Sequence, residues 1–383
     1  MVVRDKTLIN LLVIIGVYTD GANRHIKFLS ILIVVCYYAS AIYFFKMISN
    51  IMSSHFLVFI SYLLLNILSM LIWFSLFLKR TEISVIIHEL FHYRKRYVRY
   101  DTSVLKQKIT VILTSVFFIL NQLLHHFDDE KKATNHLKFW SVGFEIPEGY
   151  LRTIFIIIIN LVSSIENLFP VFMTFILCII LHKWAETLQL YNYFLQHHLC
   201  SVNKHLNMRL FTDFVKMVTI LREMNQVLRY PLLLMILYSL VIIFVSWYDL
   251  LTWKDLPYSV FINVLMHISS GLLMLVIYSV CCSMITDNLN KIKLTASKKI
   301  NEYIFGLRAS IPQKALLCLK RIEMEKTIYI SVFGVFHLTK GFILTAIGSI
   351  FTYDLLIINI FMPQNNDDCK IICVNFSKEI TQK

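Results

Sequence analysis

Apolar residues in this chain come in long runs rather than in alternation. Seven stretches stand out, at 28–47, 56–78, 109–127, 153–182, 231–247, 259–286 and 341–361. A helix that crosses a bilayer needs about 20 largely apolar residues. A soluble core helix is shorter and keeps a polar face. The pattern therefore predicts an all-α membrane protein with seven transmembrane helices, the third and fifth being the shortest. Between the spans the period changes. Leu188, Tyr191, Leu195 and Leu199 recur at helical spacing, as do Leu316, Leu319 and Ile322. An amphipathic helix outside the membrane must cover its apolar face. Spans four to six are thus expected to continue past the bilayer and to pack there with the segment that precedes span seven.

Composition agrees with membrane residence. The chain is 57% hydrophobic, against roughly 45–50% in soluble proteins. Its net charge of +13 would suggest nucleic acid in a soluble protein, but here it reports orientation, because cytosolic loops of membrane proteins concentrate Lys and Arg. With a cytosolic N-terminus, 28 Lys and Arg fall in the inside segments 1–27, 79–108, 183–230 and 287–340, and only 8 in the outside segments 48–55, 128–152, 248–258 and 362–383. The chain thus reads as a cytosolic N-terminus (1–27), a bundle of six spans (28–286), a cytosolic anchor segment (287–340), span seven (341–361) and an extracellular tail (362–383). This is the reverse of a G-protein-coupled receptor. The sequon Asn375-Phe376-Ser377 lies in the predicted outside tail. Membrane lipid is an expected partner and nucleic acid is not. No cleavable signal peptide is visible. The eight cysteines show no zinc or disulfide spacing, and Cys36, Cys178, Cys281 and Cys282 sit in apolar runs as small hydrophobes.

His88-Glu89-Leu90-Phe91-His92 matches the zincin motif H-E-x-x-H. Zinc would need both His on one helix face and a third ligand. Arg94, Lys95, Arg96 and Arg99 follow directly and would repel a divalent cation. The candidates His125, His126 and Asp128 fall across the membrane. We therefore expect no enzyme activity, no catalytic residues, no metal and no cofactor, and read 88–92 as a cytosolic helix with surface histidines.

Polar groups inside spans are costly and mark either interhelical hydrogen bonds or a water-filled site. They form stripes: Tyr62, Asn66, Ser69 and Trp73 in span two; Asn121, Gln122 and His125 in span three; Asn160, Ser163, Ser164 and Asn167 in span four, with Glu166; and Asn263 and His267 in span six. Most lie in the outer half of the membrane. Polar groups converging among aromatics describe a small-molecule pocket. Its candidate residues are Asn66, Gln122, Asn160, Glu166, Trp247, Asn263 and His267. For Trp247, an interfacial aromatic belt is an equal alternative. In span seven, Thr352, Leu355 or Leu356, and Asn359 share a face, and Asp354 lies about 140° from Asn359.

Gly334-Val335-Phe336-His337-Leu338, followed by Thr352-Tyr353, five residues and Asn359, resembles the C-terminal signature of insect gustatory receptors. Asn359 stands where that family usually has Gln, and Ile360 where it has Phe. The Thr352-Tyr353-Asp354 run leaves the sugar-receptor branch open. The resemblance implies a ligand-gated, non-selective cation channel in the plasma membrane of a sensory neuron. It would be opened by a small-molecule tastant and built as a homotetramer or as a heteromer with related receptors. Span seven would line the pore, with Thr352, Leu355, Leu356 and Asn359 at the gate. Spans two to six would hold the ligand, and the cytosolic helices would form the anchor where subunits meet. An odorant-receptor-type subunit is the neighbouring reading, and an H-E-x-x-H intramembrane metalloprotease the rival of another class. A secondary transporter would show paired halves and broken helices, and the sequence has neither.

Overall fold

The computed structural model describes residues 56–97, 150–198, 204–252, 258–305, 313–332, 336–338 and 340–361. They form α1 (Phe56–Leu78), α2 (Arg80–Tyr97), α3 (Tyr150–His198), α4 (Lys204–Thr252), α5 (Tyr258–Ile304), α6 (Gln313–Met324), the short strands β1 (Ser331–Val332) and β2 (Phe336–His337), and α7 (Lys340–Phe361). Five of the seven apolar stretches coincide with helices. The stretches 28–47 and 109–127 lie outside the described residues. Among the described residues, three helices are long and apolar enough to cross a membrane, or four if α1 and α2, bent by 66°, count as one. The apolar part of α7, Gly341–Tyr353, is shorter.

The expected extension of spans four to six is present. Helices α3 and α4 have 49 residues each and α5 has 47. At 1.5 Å per residue, α3 is roughly 73 Å long, more than twice a hydrocarbon core of about 30 Å. From the ends of the apolar runs outward, all three helices bury residues at a four-three-four spacing. On α3 these are Trp184, Leu188, Tyr191 and Leu195; on α4, Met217, Leu221, Met224 and Leu228; on α5, Ile285, Leu289, Ile292 and Ala296. This is the seam of a coiled-coil-like bundle. Each such side chain contributes about 1.5–3 kcal/mol when buried. The most extensive pairing is α3 with α5, followed by α4 with α5. Helix α6 lays Ala315, Leu319 and Ile322 onto this bundle. Helix α2 adds Ile83, Ile86, Ile87, Leu90, Tyr93 and Tyr97.

The break between α1 and α2 falls at Lys79, where the apolar run ends and charge begins. Lys79 pairs with Glu82 at 2.9 Å, and the Arg80 guanidinium sits 4.2 Å from the Phe77 ring. Such groups hold a helix end at an interface rather than inside lipid. Charged α2 therefore turns aside and joins the anchor bundle instead of extending span two.

Within the spans, α4 and α5 approach closely at Gly271. A Cβ there would meet Ile243 Cγ1 at 2.6 Å, Ile242 Cγ2 at 2.9 Å and the Ser239 carbonyl at 3.1 Å. Fully buried Tyr278 of α5 donates to Thr174 Oγ1 of α3 at 2.5 Å, and its oxygen lies 2.8 Å from Met235 Sδ of α4. One hydroxyl thus joins three helices.

The segment 287–340 departs from the expected mixed helix. After α6 the chain runs extended, and β1 pairs antiparallel with β2, Ser331 opposite His337 and Val332 opposite Phe336. The reason is local. Ile328, Ile330 and Val332 are buried in alternation, and β-branched and aromatic residues dominate from Ile328 to Phe336.

The Gly271 contact gives a test. Gly271→Leu should cost about 1–3 kcal/mol through overpacking, read as a lowered Tm of the detergent-solubilised protein. Gly348→Leu should be nearly neutral, since nothing lies within 4 Å of a Cβ there.

Candidate pore helix and its supports

Helix α7 packs on α4 and α5 through one face only, with Phe342 and Ile350 against the core. The side turned away carries a polar stripe. Thr345, Gly348, Ser349 and Thr352 are all exposed, as are the apolar Leu344, Phe351, Leu355 and Leu356. Thr345, Ser349, Thr352, Leu356 and Asn359 follow one another at four-three-four-three spacing, so they form one stripe along the helix. Asp354 occupies the opposite register position, and Asn359 and Asp354 have side chains outside the described residues. The hydroxyls are satisfied within the helix: Thr345 Oγ1 donates to the Gly341 carbonyl at 3.4 Å, Ser349 Oγ to Thr345 at 2.9 Å and Thr352 Oγ1 to Gly348 at 2.8 Å. Backbone-bonded hydroxyls leave the helix intact while presenting oxygen to the open side. The sequence reading named Thr352, Leu355, Leu356 and Asn359 and did not name Thr345, Gly348 and Ser349, which extend the same stripe. Their spacing upstream of Thr352 was the available signal. Tyr353 is exposed beside the stripe, at 62%.

Of the residues expected to bind ligand, Asn66 on α1, Trp247 on α4 and His267 on α5 are half-buried. The main-chain carbonyl of His267 accepts from Ser270 Oγ at 2.9 Å. Asn160, Glu166 and Asn263 are fixed only in helix position, and Gln122 lies outside the described residues. Trp247 meets α7 directly: its ring lies edge-to-face with Phe351, centroids 4.7 Å apart. Ser69 and Trp73, from the span-two stripe, are buried. A small apolar cavity of about 10 Å³ lies in the anchor among Tyr191, Leu210, Cys318 and Leu319, room for no more than one water.

The anchor is tied by charge as well as by packing. Buried Arg94 pairs with Glu186 of α3 at 2.6 Å. Arg96 pairs with buried Asp213 of α4, and Tyr97 donates to the other Asp213 oxygen at 2.8 Å. Desolvation, then the Asp213 charge, push the Tyr97 hydroxyl far above the usual phenol range. The hydrogen bond to Asp213 raises Arg96 further. Two of the basic residues expected to repel a cation from His88 and His92 are therefore engaged in ion pairs. Both histidines are exposed on α2. His92 Nε2 lies 3.2 Å from Arg96 Nη2. Among the described residues, no group of three His, Cys, Asp or Glu is placed to hold a metal.

No family model and no curated protein sequence matches the chain. Solved structures do. The olfactory receptor OR5 from the insect Machilis hrabei superposes with a TM-score of 0.73 at 11% identity, covering 93% of this chain and 97% of that one. The same receptor in complex with eugenol gives 0.71 over the same shares. The chain has the fold of an insect olfactory receptor. The likeness extends through spans and anchor alike, and it agrees with the chemoreceptor resemblance that Gly334–Leu338 and Thr352-Tyr353 carry. With its long apolar helices, this olfactory-receptor fold is that of a multi-pass membrane protein.

Two tests follow from the anchor. Replacing both His88 and His92 with Ala should leave metal content at background and surface expression unchanged, whereas loss of stoichiometric zinc would revive the zincin reading. Tyr97 has a folded pKa above its unfolded value of about 10. Its contribution is therefore complete below pH 10 and is lost as pH rises beyond it. Tyr97→Phe should cost about 1 kcal/mol at neutral pH and flatten the fall in Tm between pH 10 and 12.

Proposed function

We propose that this protein is a subunit of a ligand-gated, non-selective cation channel of the insect chemoreceptor type, and that it is a gustatory receptor opened by a small-molecule tastant. One observation carries the reading. The most polar face of the otherwise apolar α7 is the one its own subunit leaves uncovered. Lipid would accept the opposite arrangement. In an assembly around an axis, that stripe would line a pore, and hydroxyls and amides without fixed charge suit weak, poorly selective cation passage. Four copies, identical or mixed with related receptors, would place four stripes about that axis in a sensory neuron's plasma membrane, with the N-terminus cytosolic and the C-terminus outside. The gustatory rather than odorant assignment rests on the Thr352-Tyr353 signature.

The ligand site is proposed on the outer side of spans two to six, near Asn66, Gln122, Asn160, Glu166, Trp247, Asn263 and His267. The neighbouring receptor was solved with eugenol, and a small organic molecule of that kind suits the aromatic and amide groups here. Opening requires the ligand to bind the open state better than the closed one. Trp247 would pass that preference to α7 through Phe351.

The experiment is an expressing cell exposed to a compound panel. The expected outcome is a compound-evoked cation current. Edge-to-face pairs contribute about 0.5–1.5 kcal/mol. Trp247→Ala and Phe351→Ala should each shift the half-maximal concentration severalfold, and the double variant no further than the stronger single. Additive shifts would remove Trp247–Phe351 as the link, and a silent panel across homomeric and mixed expression would reject the channel.

A further inference from the structure

Between α6 and α7 the chain joins the anchor to α7, and the structure holds this strap at one register. Side chains set the inward face: Ile328, Ile330 and Val332 are all buried, while Tyr329 between them is exposed. The backbone edges are claimed separately. On one edge, Leu338 N–H donates to the Ile330 carbonyl at 3.2 Å, closing the hairpin. On the other edge, a single side chain takes both groups. Asn225 Oδ1 of α4 accepts from Ser331 N–H at 3.0 Å, and Asn225 Nδ2 donates to the Tyr329 carbonyl at 3.3 Å. In an extended strand the carbonyl of one residue and the N–H of the residue two further on face the same edge. In a parallel ladder, one residue of the neighbouring strand binds both. The Asn225 carboxamide imitates that residue.

Other contacts flank this one. Arg222, one turn before Asn225, pairs with Glu325. From α5, Thr286 Oγ1 donates to the Ile328 carbonyl at 3.2 Å, and Lys293 Nζ donates to Thr327 Oγ1 at 2.8 Å. The strap therefore lies across α4 and α5 and ends eight residues before the start of α7, counting from Val332 to Lys340. A slip by one residue would turn Ile328, Ile330 and Val332 outward. A slip by two would restore burial but leave the Asn225 amide against different backbone groups.

We infer that Asn225 is a positioning residue for the pore helix: its amide fixes the register of the 325–332 strap and so the placement of α7 relative to α4 and α5. The consequence for gating rests on the channel reading, but the placement of α7 does not.

The test uses the full chain in nanodiscs, with Asn225→Leu removing both hydrogen bonds at similar volume. Asn225→Asp serves as a second variant, keeping the acceptor for Ser331 and losing the donor for Tyr329. Hydrogen exchange of the peptide covering 327–338 is expected to rise on the order of tenfold in Asn225→Leu, and less in Asn225→Asp. The distance between spin labels on non-natural residues at Lys291 and Leu344 is expected to broaden or shift in the same order. Unchanged strap exchange overturns the proposal. Faster exchange with an unchanged α5–α7 distance also overturns it, since the contact is then local. Where wild type carries a current, both variants should alter the fraction of channels open without ligand. A silent wild type rejects the channel reading alone, and the exchange and distance measurements still decide the role of Asn225.

Discussion

Helices of 47–49 residues outrun the bilayer, and much of this structure follows from that. The part of α3, α4 and α5 beyond the lipid must bury its own apolar face in water, and it does so through the matched seams centred on Trp184, Leu221 and Ile292. A second folded core thereby exists outside the membrane, continuous with the spans. Helices α2 and α6 complete it. Because the same helices form both parts, a displacement among the spans is transmitted to the anchor without passing through a loop. Helix α7 is the exception. Its chain enters from the anchor through the strap and hairpin, so its placement depends on that connection as well as on its packing against α4 and α5.

The distribution of polar groups obeys the change of medium. Among the described span residues, several polar groups are met by uncharged hydrogen bonds, between helices at Tyr278–Thr174 and within the helix at the back-bonded hydroxyls of α7. In the anchor they become charged pairs, Arg94–Glu186 and Arg96–Asp213. Each pair has one buried member, Arg94 or Asp213, whose charge would be left uncompensated if its partly exposed partner were removed.

Much of this was legible in the sequence. Five apolar helices, three of them long enough to span and extended beyond their apolar runs, followed from run length and from Leu188, Tyr191 and Leu195. The surface placement of His88 and His92 followed as well. Other features were hidden for physical reasons. Arg94 and Arg96 find partners 92 and 117 residues away, and charge alone cannot name a partner at that separation. The strap sits between helices and contains only two-residue strands, below what periodicity detects. Thr345 and Ser349 carry no signal of their own, since single hydroxyls bonded back to their own helix are ordinary in apolar helices. The ligand pocket depends on where side chains from several helices converge, and helical spacing within one span does not determine that.

The central claim is that three helices pass from the membrane into a cytosolic anchor and that α7 then returns across the bilayer. The most direct measurement is the accessibility of a C-terminal epitope tag on intact cells, with an N-terminal tag as control. The account predicts that antibody stains the C-terminal tag without permeabilisation and the N-terminal tag only after it. A C-terminal tag that stains only in permeabilised cells would contradict the orientation, the anchor's compartment and the pore-lining role of α7 together.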